Sequence, residues 1–524
     1  MHGCGYGYGY GYWSMNYPLW QIGIPGGLLI AFVAVVHVFI SHFAVGGGAY
    51  LVLLERKANR GNDAGLLDYV RKHSKFFALL TLVTGAVTGV GIWFTIGLVS
   101  PEATSSLIHT FVWGWAIEWV FFFVEIAAAL IYAYSWDRLD RAAHMAVGWV
   151  YFVAAWASLV IINGILTYML TPGRWLQTHA FWNGFFNPTY WPSVVVRCGV
   201  AAVLAGMFGL VTGLRMYRPV RERVLRYAGL WIMVGTLFLV LPVRWYFADF
   251  PPESKAYFEV ILPTMRHMVY LGAIAAGLSF LLAAVFAVAK PTWMRSSIVT
   301  VILLCGFVLI GTGEYTREMA RKPYAIGSYI YSNDLRVAQM ASLDAVGFAN
   351  SGKWMNPQQG DLNRGRQMFA MQCGVCHSVD GYRAMKPRVD GWGTEFATDV
   401  LQHLPLLRGT MPPFAGNEQD RTAVGTYLAS LSPAAIDLQL PDAELGRQVF
   451  GRRCSMCHTV GGKFRPLSLA GMDADSIDSL LTQLDSLNPE MPSFHGSERE
   501  RKALAVFLQS GTPYQPTGAQ GGTR

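Results

Sequence analysis

The chain has 524 residues, 53% hydrophobic and only 14% charged, with a formal net charge of +8. An ordinary soluble domain carries about 25% charged residues, so this composition excludes a purely soluble protein and indicates a membrane protein with a soluble part attached. The positive charge does not indicate nucleic acid, because the basic residues fall between apolar runs, where they report topology.

In chain order, the opening MHGCGYGYGYGYW is low in complexity and reads as a tail over residues 1–18. Cys4 within it reads as a free thiol. No basic n-region or cleavage site of a signal peptide is visible. Eight apolar runs follow, near 24–53, 76–99, 108–134, 146–170, 193–216, 228–247, 262–289 and 296–313. Each is long enough to cross about 30 Å of hydrocarbon. The first–second loop holds Arg56, Lys57, Arg60, Arg71, Lys72 and Lys75, and the third–fourth holds Arg138 and Arg141. The fifth–sixth holds Arg215, Arg218, Arg221, Arg223 and Arg226, and the seventh–eighth Lys290 and Arg295. The second–third loop, SPEATSS, has no basic residue. The positive-inside rule predicts that the basic loops are cytoplasmic, and that the N-terminus and everything after the eighth helix lie outside.

The composition changes near residue 330. Residues 345–362 are rich in Gly, Asn, Ser and Gln and read as linker. Two related segments follow, GRQMFAMQCGVCHSVDG and GRQVFGRRCSMCHTVGG, offset by 81 residues, and PTGAQGGTR reads as a disordered tail. Each segment contains Cys-x-x-Cys-His, the c-type haem attachment signature. Cys373 and Cys376, and Cys454 and Cys457, would form the thioethers, with His377 and His458 as proximal iron ligands. A thioether can fill the sixth position. Met411 in GTMPPF and Met491 in PEMPSF stand 33–34 residues further on and are the candidates. Zinc would want four protein ligands per site, and each segment offers two Cys and one His.

The pattern around these residues resembles small class I cytochromes c. The predicted architecture is therefore all-α: a polytopic membrane bundle of about eight helices followed by two tandem cytochrome c-like domains. The expected divisions are tail 1–18, bundle 19–335, linker 336–362, modules 363–435 and 436–512, and tail 513–524.

Charged groups inside the apolar runs cost several kcal/mol unless paired or neutral. Glu118 and Glu125 in AIEWVFFFVE are seven apart and share a helix face at a spacing of about 10 Å. The first run carries His37 and His42, and the eighth ends with Glu314 and Glu318. Such groups suit iron ligation or proton relay; the alternative is polar groups hydrogen-bonded inside the bundle. Together with two haem c segments they suggest a redox centre.

The ordered stretches AIEWVFFFVE, WDRLDRAAHM and NGILTYMLTPG resemble the core of subunit I of cytochrome bd oxidases. PTMRHMVYLG, with Arg266 and Met268, is similar to that family's RxM motif, and GEYTREMARKPYAIG to its GRQPW region. The resemblance covers roughly residues 20–335. It implies two intramembrane high-spin haems, b with b or d, with His37 as axial ligand to one and Glu318 to the other. It implies that Arg321 stabilises the propionates or charge of the second, that Glu118 lies at the oxygen-reducing iron, and that Glu125 and His144 belong to the proton path. It also implies a second membrane subunit, and oxygen as substrate.

Three features depart from that family. The two glutamates are seven apart where eight is usual, turning Glu125 about 100° around the helix. Arg197 stands roughly where the family has a fifth-helix His for its low-spin haem b, leaving Met268 without an obvious partner; His179 or His267 are substitutes, and absence of that haem is the simpler reading. The outer loop between helices six and seven, which holds quinol in the family, is only about 15 residues, and the haem c modules take the place of a ninth helix. The expectation is a terminal oxidase of the bacterial inner membrane, fed by a periplasmic cytochrome c or similar donor. The alternatives are outward electron flow from quinol, and a non-catalytic wiring subunit.

Overall fold

The computed structural model describes residues 24–258, 263–351, 360–433, 436–458, 467, 469 and 471–514. The expected tail 1–18 with Cys4, residues 352–359 of the expected linker and residues 515–524 lie outside the described residues.

Among the described residues, eight helices are long and apolar enough to cross a membrane: α1 (Gly26–Arg60), α2 (Ala64–Val99), α3 (Val112–Tyr134), α4 (Arg141–Tyr168), α5 (Tyr190–Gly213), α6 (Arg218–Ala248), α7 (Thr264–Ala289) and α8 (Ser296–Ala320). They correspond one for one to the eight apolar runs. Several extend further, because amphipathic turns continue a helix past the apolar stretch. Thus α1 runs on to Arg60, and Lys57 and Arg60 in its last turn complement the helix dipole. Asp63 caps α2 by accepting from Leu66 N at 3.0 Å, and Asp140 caps α4 by accepting from Ala143 N at 2.8 Å.

Small residues let the bundle close. A Cβ on Gly46 of α1 would collide with the carbonyl of Ala201 on α5, and one on Gly206 of α5 would meet Ala228 O and Ile232 on α6. Close backbone approach at glycine is the usual device for packing helices in lipid, where dispersion replaces the hydrophobic effect.

The basic turns meet on one face. Arg71 pairs with Asp137, Arg223 with Asp63 at 3.0 Å, and Arg221 donates to Met294 O at 2.7 Å. The opposite face carries a short helix (Pro101–Thr110) and a hairpin of antiparallel strands, β1 (Tyr324–Ile326) and β2 (Ile330–Tyr331). Buried Asp334 joins them, accepting from Ser100 Oγ at 2.9 Å, Glu102 N at 2.7 Å and Ala103 N at 2.8 Å.

Two small helical modules follow. The first contains α9 (Asp361–Gln372), α10 (Thr394–Gln402) and α11 (Glu418–Leu431); the second contains α12 (Asp442–Val449), α13 (Ala474–Leu481) and α14 (Glu498–Gln509). The repeated GRQ segments explain their likeness. Gly365 of α9 crosses α11 against Ala423 O, and Gly446 of α12 crosses α14 against Ala503 O, with no room for a Cβ at either. Part of the expected linker is built into the first module. Phe348 and Ala349 are buried in its core, and Phe348 N donates to Asp420 Oδ2 at 2.6 Å. Two apolar side chains among polar ones were enough to anchor that segment.

Candidate functional site

Each Cys-x-x-Cys-His segment follows the first helix of its module directly. In the second module Cys454, Cys457, His458 and Met491 line one cavity of about 370 Å³. Two cysteines, an imidazole and a thioether around one apolar cavity match the donor set that would hold haem c. Among the described residues no cluster of three or more His, Cys, Asp or Glu forms a metal site of the zinc kind. In the first module Cys373 and Met411 pack against the same core. His377 Nδ1 lies 3.3 Å from Arg383 O, which orients the ring and leaves Nε2 for a metal. Burial pulls the His377 imidazole down to about 4, so it stays neutral, the form that binds iron. Burial likewise pushes the Cys373 and Cys454 thiols up to about 12.

The second module's cavity is closed on one side by the first module, through Phe396, Val400, His403, Leu406 and Leu407. The modules are pinned together by Arg452–Asp390 at 2.9 Å, Trp392 Nε1 to Arg452 O at 3.0 Å, and His495–Asp399 at 2.5 Å.

In the bundle, His37 Nδ1 sits 3.0 Å from Thr88 Oγ1 of α2, and the ring also hydrogen-bonds the Gly85 backbone. A contact of this kind holds an imidazole in one orientation. His42 is buried, with Nδ1 on Val38 O at 2.9 Å. Arg197 donates to Asn163 Oδ1 at 3.0 Å and comes within 3.4 Å of His42 Nε2. Ser193 donates to the same Asn163 oxygen at 2.6 Å. The arginine at the place of the expected histidine is thus built into a buried polar network joining α1, α4 and α5.

Glu118 accepts from Ser158 of α4 at 3.1 Å, and Glu125 lies two turns further along α3 on its half-buried side. His144 is buried at the basic end of the bundle. Its Nδ1 lies 2.9 Å from Glu55 Oε1 and its Nε2 3.0 Å from Tyr132 O, while the Tyr132 hydroxyl donates to Glu55 Oε2 at 2.6 Å. A cleft of about 340 Å³, lined by Glu55, Asn59, Asp68, Arg71, Trp136 and His144 among others, opens there.

At the other end of the bundle, Glu314 pairs with Arg317 at 2.8 Å, and Glu318 with Arg321 and, at 2.9 Å, with Lys322. A carboxylate has about four acceptor positions, so Glu318 keeps capacity for a further bond. Arg321 also donates to Ala325 O at 2.6 Å. Arg266 is exposed near the start of α7, with Met268 half-buried beyond it. The expected residues therefore fall into three groups: His144 at the basic end, His37, Glu118 and Glu125 within the span, and Glu318 and Arg321 at the opposite end.

Sequence reasoning missed Glu55 as the partner of His144, and the contacts between modules. It also passed over buried His73, whose Nδ1 lies 2.8 Å from Thr212 Oγ1. Glu55 and His73 looked like residues of a basic loop, and only the helical continuation of α1 and α2 buries them.

Comparison with known proteins follows the same division. Residues 28–251 match the family described as cytochrome bd terminal oxidase subunit I. Residues 360–428 and 441–508 each match that described as cytochrome C oxidase, cbb3-type, subunit III. A Bacillus subtilis (strain 168) protein named as a cytochrome bd menaquinol oxidase subunit I is 23% identical over 256 residues, 44% of this chain and 56% of the relative. The match thus spans little more than half of that relative's length. The solved bd oxidase from Geobacillus thermodenitrificans is similar with a TM-score of 0.48 and 18% identity, over 58% of this chain and 88% of that one.

Proposed function

We propose that this chain, a cytochrome bd subunit I-like membrane bundle continued by two cytochrome c-like modules, is the oxygen-reducing subunit of a terminal oxidase fed by an external cytochrome c or similar one-electron donor. The observation that carries this reading is the seating of the first haem c module on the bundle, where the carbonyl of Val375, between Cys373 and Cys376, accepts from Gly27 N at the start of α1. An electron-carrying module fixed at the head of the helix that bears His37 supports entry of electrons through that module.

When bound, the haems supply one-electron redox chemistry and an iron at which oxygen can be reduced. The chain's own residues hold, orient and deliver. Cys373, Cys376, His377 and Met411 would hold one haem c, and Cys454, Cys457, His458 and Met491 the other. His37, oriented by Thr88, and Glu318, flanked by Arg321 and Lys322, would hold the two bundle haems. Glu118, in contact with Ser158, and Glu125 would hand protons toward the reacting oxygen. His144 and Glu55, at the open cleft, would take protons from the basic side. That side is the cytoplasmic one by the positive-inside rule, and the modules then lie in the periplasm. Each oxygen molecule takes four electrons and four protons to give two waters. A second membrane subunit completes the complex. Arg197, bound to Asn163 and close to His42, supports the absence of the low-spin haem, with Arg266 and Met268 as the remnant of its site.

A quinol-fed reading draws support from the Bacillus subtilis relative, whose name includes menaquinol. The short segment between α6 and α7 supports the cytochrome c reading instead. The test is oxygen consumption by the purified complex with a reduced soluble cytochrome c and, separately, with a quinol.

A further inference from the structure

The two haem-holding loops of the first module both rest on the bundle. Val375 O accepts from Gly27 N at 3.2 Å, within the attachment loop. On the other loop Gly409, two residues before Met411, accepts from the Tyr257 hydroxyl at 2.6 Å, and that hydroxyl lies 2.9 Å from Lys322 O beside Glu318 and Arg321. From Gly27 to His37 is ten residues of helix, roughly 15 Å along the axis.

The second module turns its own two loops to the first. Arg452, two residues before Cys454, pairs with Asp390 and takes the Trp392 indole hydrogen on its carbonyl. Met456 and Cys457 pack on the first module's core. Pro489, two residues before Met491, lies with its carbonyl 3.1 Å from His403 Nε2. His495, four residues after Met491, pairs with Asp399 at 2.5 Å and lies 3.5 Å from Glu395. The attachment and methionine loops therefore face inward at both junctions, in series.

We propose that the two modules form a wire of fixed order, in which the second module exchanges electrons with the soluble carrier and the first is the sole link to the bundle. Each transfer would move one electron: in the oxidase direction the carrier would be oxidised as the haem c held by the second module is reduced, and that haem would be reoxidised as the one held by the first module is reduced in turn. The proposal rests on the electron-transfer reading above, but the order holds for either direction of flow. His403, Asp390 and Asp399 are positioning residues of the junction. They hold the second module's loops rather than touching a reacting atom.

The test uses the complete haem-loaded complex, reduced without oxygen and then mixed with oxygen, with the haem c absorbance followed in time. In Cys373→Ala/Cys376→Ala, the second module's haem is expected to stay reduced. In Cys454→Ala/Cys457→Ala, the first module's haem is expected to be oxidised as in the unaltered complex. Because loss of a haem can unfold its module, Arg452→Asp is the companion variant. It is expected to slow oxidation of the second haem alone, and Asp390→Arg added to it is expected to restore the rate. Unchanged oxidation of the second haem without the first, or a first haem stalled by loss of the second, would overturn the order. If oxygen oxidised neither haem c in the unaltered complex, the oxidase reading would fall instead. A quinol pulse would then read the order from the bundle side, with reduction of the first haem before the second as the expected sequence and the reverse as the refutation.

Discussion

The imidazole of His144 lies 2.9 Å from the carboxylate of Glu55, a residue 89 positions earlier, and both are buried. Tyr132 completes the cluster on the other carboxylate oxygen. A buried pair of this kind is costly to break from one side, about 3–5 kcal/mol, because the remaining group keeps its desolvation without its partner. His144→Ala is therefore expected to destabilise the bundle and to slow steady-state oxygen reduction. Glu55→Gln keeps the shape and the hydrogen bonds, so it is expected to slow turnover with little loss of thermal stability. Equal turnover in Glu55→Gln and the unaltered complex would remove this cluster from the proton path.

His37 has its Nδ1 on Thr88 Oγ1. His37→Ala is expected to abolish oxygen reduction and to remove a bundle haem signal while leaving the haem c spectrum. Thr88→Val would loosen the ring without removing it, and outer-sphere changes of this type commonly cost about 10–100-fold in metal affinity or activity. A full bundle haem spectrum in His37→Ala would show that another residue holds that haem.

Met411 and Met491 are the two thioethers expected at the sixth positions. Replacing either with alanine is expected to lower the reduction potential of its own haem c, since a methionine ligand raises the potential. The two potentials are read by redox titration of the absorbance. A methionine variant with an unmoved potential would mean that another group fills the position.

Gly365 and Gly446 occupy the same place in the two modules, each without room for a Cβ against the crossing helix. Gly365→Ala and Gly446→Ala are each expected to cost about 1–3 kcal/mol, because the collision is with backbone and the helices must separate. Thermal unfolding followed by haem c absorbance would measure it, and an unchanged melting temperature in both variants would contradict the packing described.

The eight helices and the two modules could be read from the sequence because their signals are local. An apolar run, a Cys-x-x-Cys-His segment and a repeated GRQ need no knowledge of distant residues. What escaped depends on contacts between distant positions. Arg197 reads as an intrusion in an apolar helix until Asn163, and His42 155 positions away, come together around it. Glu55 reads as part of a basic loop until α1 continues past its apolar stretch and carries it inward. Phe348 and Ala349 sit in a stretch whose composition suggests linker, and only the first module's core reveals them as anchors. The seating of Val375 on Gly27 leaves no trace in either segment alone.

The most direct test of the central claim is oxygen uptake by the purified, haem-loaded complex with two donors supplied in separate experiments, a reduced soluble cytochrome c and a reduced quinol. The account predicts rapid uptake with cytochrome c, lost in His37→Ala, and none above background with quinol. Uptake driven by quinol, or reduction of the haem c groups by quinol without oxygen, would contradict it and reverse the assigned direction of electron flow.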